Sequence, residues 1–470
     1  MSTPSDSNSA GPLSLPSPEA LELGAMVPAG QPRGSLTDGP LGRTLLRVAI
    51  PAVGTTLLQV LFNITDTFWV GRTLGPTALA GVSVASYALW IIITSGELIS
   101  VGLGAIAARR HGEGRPDLAA HAAGTALWMA VALGIVVPVV GMFGLNPLLH
   151  LMGTSAEVAG ASRQFLIVQL LGAFLIYGYM VVDAAFRSAG DTRTPFLLLA
   201  IAVLFNLVMD PVMILGLGPF PKLGVYGAGL ATVLTRGGGC LVGLWLLFRR
   251  RRITLAFEGR TALTMFRIGI PAAVAGFLFS FIYVLLVPVI SRFGSPALAA
   301  LGIGHKVEGM GYMTAVGFGL GAEAVVGQNL GAGRPDRARR AGWLAAGYAL
   351  AVTLVMTTGF LLIPDLIAGL FTTDQATIAD AALYLVAAAV AQPAIAFEET
   401  LYSSLSGAGY TLWPMVWVVV LCAIRVPLAV VIAPRWGLAG IWLLLAGTAM
   451  LRGVVMTALW QWGSWETARA

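Results

Sequence analysis

Residues 44–70 read Thr44-Leu-Leu-Arg-Val-Ala-Ile-Pro-Ala-Val-Gly-Thr-Thr-Leu-Leu-Gln-Val-Leu-Phe-Asn-Ile-Thr-Asp-Thr-Phe-Trp-Val70. A helix of about 20 apolar residues crosses a bilayer, so this stretch is one crossing with Asp66 near its far end. A carboxylate inside such a span costs about 2.5–3.5 kcal/mol on insertion scales. Asp66 therefore needs a polar cavity or a partner, which the rest of the chain has to supply.

The 470 residues are 57% hydrophobic and 11% charged, against about 25% charged in soluble domains. The mean hydropathy is +0.84. The apolar runs are too long for strands, which predicts an all-α polytopic membrane protein rather than a lipid-facing barrel. Twelve spans are expected, over roughly 44–70, 77–107, 118–143, 158–187, 194–216, 224–248, 264–291, 296–326, 340–363, 376–407, 412–433 and 437–462.

The formal charge of +6 is not read as a nucleic-acid footprint, because the arginines lie in short loops between spans. One set of loops holds Arg109, Arg110 and Arg115, then Arg187 and Arg193, then Arg249 to Arg252 with Arg260 and Arg267, then Arg334, Arg337, Arg339 and Arg340. The opposite set holds Arg72, Lys222, Arg292 and Arg435. The asymmetry predicts cytoplasmic N- and C-termini in the cell inner membrane.

Internal repetition organises the chain. Arg47-Val-Ala-Ile-Pro51 recurs as Arg267-Ile-Gly-Ile-Pro271, an offset of 220 (267 − 47). Gly112-Glu-Gly-Arg-Pro-Asp117 recurs as Gly331-Ala-Gly-Arg-Pro-Asp336, an offset of 219 (331 − 112). Ala189-Gly-Asp-Thr-Arg-Thr-Pro195 recurs as Ala408-Gly-Tyr-Thr-Leu-Trp-Pro414, again 219 (408 − 189). Six spans per half is an even number, so both halves enter from one side as parallel repeats, a scheme that secondary transporters use. The expected organisation is a Ser- and Pro-rich disordered tail over 1–40 with no secretory signal, an N-lobe over 41–248, a linker over 249–263, a C-lobe over 264–463 and a tail over 464–470.

The fifth span carries Asn206-Leu-Val-Met-Asp210-Pro211. Residues four apart share a helix face, and Pro211 leaves the carbonyl of Leu207 without its usual donor. Asp66 lies about 33 Å and Asp210 about 24 Å along helices that enter from the same side, at 1.5 Å per residue. Two carboxylates at matched depth can share a dry site and exchange a proton; the alternative is two acids that separately cap loops or pair with basic groups. Asp183 is four residues before Arg187 and fits an ion pair with it. Glu97, Glu308, Glu323, Glu398 and Glu399 also lie within spans and are further candidates, each with a structural hydrogen-bonded role as its alternative.

No enzyme chemistry is expected. Gly317-Phe-Gly-Leu-Gly321 follows no strand, so it is no phosphate loop. Cys240 and Cys422 lie singly in apolar spans, and His111, His121, His150 and His305 form no cluster in sequence.

These features together resemble the multidrug and toxic compound extrusion (MATE) transporters. The resemblance covers about 44–462 and rests on the early Asp in a Thr-Asp-Thr run, Gly-x-Gly-Arg-Pro-Asp after span two, Arg-Ser-Ala-Gly-Asp-Thr after span four, and Gly-Gln-Asn-Leu-Gly-Ala-Gly after span eight. It implies a V-shaped pair of six-helix bundles and antiport, in which H+ or Na+ enters as an organic, often cationic, compound leaves. In the branch resembling the DNA-damage-inducible and archaeal members, it implies a cation site of Asp66, Asn206, Asp210 and Thr232, with Na+ the alternative to H+ at Asp66, Asn206 and Asp210. Gln59, Asn63 and Asp183 match positions of the substrate cavity. The seventh span has no acid over Leu278 to Ile290, which favours coupling in the amino-terminal half; Glu398 or Glu399 is the counterpart of the tenth-span acid. The partners implied are small organic substrates and the lipid bilayer, with no cofactor beyond the coupling ion, no nucleic acid, and a monomeric chain. A lipid-linked precursor flippase of the same superfamily is the alternative function.

Overall fold

The computed structural model describes residues 36–152 and 155–468, and they are helical almost throughout. The helices are α1 (Leu41–Leu74), α2 (Pro76–Gly112), α3 (Pro116–Leu151), α4 (Ala156–Leu171), α5 (Ala173–Ser188), α6 (Arg193–Leu215), α7 (Val225–Arg249), α8 (Gly259–Ile290), α9 (Ser295–Gly331), α10 (Pro335–Leu362), α11 (Pro364–Gly369), α12 (Gln375–Gly407), α13 (Leu412–Ala423) and α14 (Arg425–Trp462). Among the described residues, nine helical stretches are long and apolar enough to cross a membrane.

The remaining crossings are irregular for physical reasons. The fourth span, expected as one helix over 158–187, is α4 and α5 bent by 55° at Gly172. A Cβ on Gly172 would come within 2.5 Å of the Val233 methyls on α7, so only glycine lets the bend press against that helix. The eighth span, α9, is an unbroken helix of 37 residues whose glycines and polar residues dilute its apolarity. The last two spans share the stretch 412–462 and part at Gly437, where φ is 60° and ψ −153°. Gly224, which opens the sixth span, has φ 57° and ψ −129°. Gly437 is therefore its counterpart, at an offset of 213 (437 − 224) because the loop before it is shorter.

The duplication is visible atom by atom. Gly114 and Gly333 have φ of 71° and 68°, where an L side chain is disfavoured. Arg115 and Arg334 follow at φ −115° with ψ 66° and 63°, and a proline then opens each helix, where its missing N–H costs nothing. Gly190 and Gly409 repeat at φ 81° and 79°. Packing is reciprocal as well. A Cβ on Gly112 would lie 1.9 Å from Gln328 O, and one on Gly331 would lie 2.1 Å from Arg109 O. Since 112 + 219 = 331 and 109 + 219 = 328, this is one contact seen from both sides of a pseudo-two-fold axis. Leu45 and Val48 of α1 are buried in a cluster with Leu286, Val325, Leu385 and Trp442. Their counterparts on α8, Met265 and Ile268, are buried with Phe62, Leu103, Tyr177 and Phe186. The first turns of each half thus cross into the other half. Two six-helix bundles related as parallel repeats result.

The arginine-rich end is tied by both chain ends. Of the tail expected over 1–40, residues 1–35 lie outside the described residues, but 36–40 are packed rather than loose. Leu36 is fully buried; its N–H donates to Gln328 Oε1 (3.1 Å), and Asn329 Nδ2 donates to its carbonyl (3.3 Å). Arg334 Nη1 reaches Thr37 O at 2.6 Å and Asp38 Oδ1 at 3.1 Å. At the other end, Trp465 stacks on Trp460 at 4.0 Å, and Arg109 Nη1 donates to Ala468 O at 2.6 Å. Within the expected linker, α8 already begins at Gly259, and the irregular segment before it is laced to α3 through Thr254 N to Ala120 O (3.2 Å) and Glu258 N to Thr125 Oγ1 (3.1 Å).

Gly112→Ala and Gly331→Ala should each lower the thermal midpoint in detergent, by the equivalent of about 1–3 kcal/mol as expected of overpacking. Gly347→Ala, on an exposed turn of α10 with nothing within 4 Å of the new Cβ, should be neutral or stabilise by up to about 1 kcal/mol. Equal midpoints for all three would remove the reciprocal crossing as a stability determinant.

Candidate cation site and central cavity

Three helices bring the four predicted cation-site residues together. Asp66 comes from α1, Asn206 and Asp210 from α6, and Thr232 from α7, all of them buried. Thr232 Oγ1 donates to Asp66 Oδ2 at 2.9 Å and lies 3.1 Å from Ala228 O. Asn206 Nδ2 donates to Asp210 Oδ1 at 3.0 Å. The two carboxyls are within hydrogen-bonding reach of one another. Asp66 Oδ1, Asp210 Oδ2 and Asn206 Oδ1 are buried with no donor. Ionised carboxylates only accept, so these three buried oxygens lack the donor or cation that burial demands. A proton shared by the carboxyls supplies it, and so does a small hard cation with oxygen ligands.

Arg236, one turn beyond Thr232 on α7, was missed as a site residue in the sequence. It lies within electrostatic reach of Asp66, with its guanidinium 4.7 Å from the centre of the Phe62 ring. Two carboxylates and one guanidinium leave a net charge of −1, which a single monovalent cation neutralises. The readable signal was an arginine in mid-span, four residues after Thr232 and so on the same helix face.

Beside this cluster lies a central cavity of about 360 Å³. Gln59, Asn63 and Asp183 line it, as do Glu97, Glu398 and Glu399. The four residues of the acid cluster are not on its wall; Arg236 is, and joins the two. Trp90, Tyr312 and Tyr402 give the cavity aromatic faces. Glu399 lies near the Tyr312 hydroxyl, and Glu398 pairs with Arg452 at 3.1 Å. Glu308 is elsewhere: it accepts the Tyr384 hydroxyl beside a smaller, second cavity.

Asp183 does pair with Arg187, Nε to Oδ2 at 3.3 Å. Sequence reading missed the other half of that arrangement. Arg187 Nη1 donates to Glu323 of α9, 136 residues away, and both side chains are buried. This ion pair bridges the halves at one margin of the central cavity, whose lining includes both residues. Space for it comes from Gly104 on α2, where a Cβ would lie 2.3 Å from Glu323 Oε1. Breaking one side of such a buried pair costs about 3–5 kcal/mol. Arg187→Met and Glu323→Leu should each destabilise the fold, and the double variant should be less destabilised than their sum. A double-mutant cycle in detergent with no coupling would show that the halves are not held there.

Comparison with known proteins places the chain in a family and matches its fold. The MatE family model matches residues 51–212 and 271–431, once in each half. A probable multidrug resistance protein NorM of Thermotoga maritima is 26% identical over 439 residues, covering 90% of this chain and 93% of its own length. The probable NorM of Pseudomonas aeruginosa is 30% identical over 455 residues, covering 91% and 90%. A FAD transporter of Shewanella oneidensis is 27% identical over 352 residues, covering 73% and 77%. Among solved structures, a MOP superfamily transporter from Pyrococcus furiosus superposes with a TM-score of 0.84 at 22% identity over 92% of this chain and 98% of that one. A MATE transporter in complex with MaL6 superposes at 0.83 and 23% identity, covering 91% and 97%. With one family match per six-helix bundle and a shared architecture over nine-tenths of its length, this chain belongs to the MatE family of multidrug transporters, membrane carriers and not enzymes.

Proposed function

We propose that this chain is an antiporter that exports organic, often cationic, compounds from the cytoplasm in exchange for H+ or Na+. The arginine-rich end and both termini face the cytoplasm, and the protein works as a monomer in the cell inner membrane. The observation that carries the coupling is the set of three donorless buried oxygens on Asp66, Asn206 and Asp210. Cation entry neutralises the cluster. It also changes what α1, α6 and α7 gain by packing together, so one helix arrangement is favoured over another. Coupling requires such a difference in interaction between two states.

The central cavity supports an organic cation as cargo. Its wall carries the acids Glu97, Asp183, Glu323, Glu398 and Glu399 against the bases Arg187, Arg236 and Arg452, with aromatic faces between. Aromatic faces attract a cation by about 0.5–2 kcal/mol each. A lipid-linked pyrophosphate, the cargo of the flippase alternative, would instead need a wall with net positive charge.

Asp66→Asn and Asp210→Asn should each abolish gradient-driven export from proteoliposomes while the protein still inserts and purifies as a single species. Glu157→Gln, at an exposed first turn of α4, should leave export unchanged. Driving export in turn with a pure proton gradient and a pure sodium gradient identifies the ion. Full export by both Asn variants would overturn the coupling assignment.

A further inference from the structure

The repeated motif Arg47-Val-Ala-Ile50-Pro51 and Arg267-Ile-Gly-Ile270-Pro271 belongs neither to the cation site nor to the central cavity. Its arginine and its second isoleucine-position side chain, Ile50 or Ile270, are exposed in both copies. Residues three apart share a helix face, so each copy sets a guanidinium beside an apolar side chain on the outside of its helix. Thr56 and Asn63, which line the central cavity, are on the opposite face of α1 at 3.6 residues per turn.

In the first half two more arginines join this one. Arg43 lies one turn before Arg47 on the same face. Arg193 is brought up by α6, because Thr192 Oγ1 donates to Val48 O at 2.7 Å, and the bonded residues adjoin Arg193 and Arg47. Farther along, a Cβ on Gly54 would lie 2.6 Å from the Phe196 ring. Gly54 is seven residues from Arg47 and Phe196 three from Arg193, so the two arginines flank the same helix contact. Among the described residues, Arg43, Arg47 and Arg193 are exposed and form no hydrogen bond or ion pair through their side chains. The acids nearest to them in sequence are taken. Asp38 pairs with Arg334 at 3.1 Å, and Asp191 already serves two guanidiniums, Arg250 at 2.9 Å and Arg252 at 3.6 Å.

The duplication shows what these three charges face. The offset of 220 on α1 takes Arg43 to Leu263 (43 + 220), and the offset of 219 on α6 takes Arg193 to Leu412 (193 + 219). These leucines are 52% and 55% exposed. Exposed leucines on membrane helices lie against lipid, so the fold itself asks for no guanidinium at either position. Beyond the arginines, Ile50, Leu57 and Leu61 of α1 and Leu197, Ile201 and Leu204 of α6 are exposed as well. A phospholipid has the same order, an anionic head and then acyl chains. Guanidinium forks match phosphate oxygens in pairs, and an arginine stem can lie on apolar surface while its head stays at the polar boundary.

We propose that the foot of the furrow between α1 and α6 binds the headgroup of an anionic phospholipid, from the leaflet at the arginine-rich end. Arg43, Arg47 and Arg193 hold its phosphate, and its acyl chains run along the exposed stripes of both helices. The second half keeps only Arg267 of the three and has no such preference. The bound lipid ties α1 to α6, the helices that carry Asp66 and Asp210, so its occupancy bears on the packing around the cation site. The lipid site itself does not rest on the antiport reading.

The test uses the full chain in a neutral detergent. Phosphatidylglycerol and phosphatidylcholine with identical acyl chains are titrated against it. Bound lipid is counted by native mass spectrometry and followed by the rise in thermal midpoint that a ligand of the folded state produces. Phosphatidylglycerol should bind at least about tenfold more tightly than phosphatidylcholine. The triple variant Arg43→Leu, Arg47→Gln, Arg193→Leu should lose that preference; at two positions it copies leucines that the second half already accommodates. The triple variant Arg115→Gln, Arg260→Gln, Arg340→Gln removes three exposed arginines from the same end and should keep the preference to within about twofold.

A native protein that binds both lipids equally overturns the proposal, whether or not any variant folds. Equal loss in the two triple variants also overturns it, because the diffuse field of the whole end would then attract the lipid. Stabilisation by inorganic phosphate as large as that by phosphatidylglycerol at the same concentration overturns it too, since the apolar stripes would then take no part.

Discussion

Charge at membrane depth must be accompanied, and here the accompaniment joins different helices. Asp66 on α1 meets Asp210 on α6, Thr232 on α7 and the field of Arg236. Arg187 on α5 reaches Glu323 on α9. Glu398 on α12 reaches Arg452 near the end of α14. Lipid tails are as apolar as leucine, so hydrophobic burial gives one helix little reason to choose a particular neighbour. Polar groups that cannot face hydrocarbon make that choice. The Arg187–Glu323 pair does so across the boundary between halves, with Asp183 as a second partner on its own helix. A guanidinium with one partner in each half can lose the distant one and keep the near one, which lowers the cost of separating the halves compared with an isolated pair.

Glycine does the complementary work of close approach. The run Gly317-Phe-Gly-Leu-Gly321 is glycine-rich without being a phosphate loop, and the fold gives its glycines a purpose. A Cβ at Gly317 would lie 2.4 Å from Val53 Cα, one at Gly319 would lie 2.5 Å from Ser403 Oγ, and one at Gly321 would lie 2.7 Å from Ala49 Cα. Alternate glycines thus seat α9 against α1 on one side and α12 on the other. Small residues at helix interfaces admit backbones to contact distance, and in α9 they do so on both sides at once.

What was legible in the sequence follows from distance along the chain. Asn206 and Asp210 share a face by i,i+4 geometry, and Asp183 and Arg187 likewise, so their proximity needed only helical spacing. The repeats were legible because Gly114, Gly333, Gly190 and Gly409 all require positive φ, a demand that preserves glycine in both copies. Partnerships between distant residues left no local trace. Nothing near Glu323 announces Arg187, nothing near Glu308 announces Tyr384, and the bend at Gly172 depends on Val233. Span counting by hydropathy also falters where polar function accumulates, as in α9, and where a shortened loop lets α14 run past Gly437.

The packed segment at Leu36 has a consequence for how the protein is made. Its partners Gln328 and Asn329 lie 292 and 293 residues downstream. At about 5–20 residues per second, a ribosome takes roughly 15–60 s to supply them. Until α9 is synthesised, Leu36 has no pocket and the arginine-rich end has no seal. The first residues of the fold are thus among the last to find their place, and the seal itself marks that both halves have arrived.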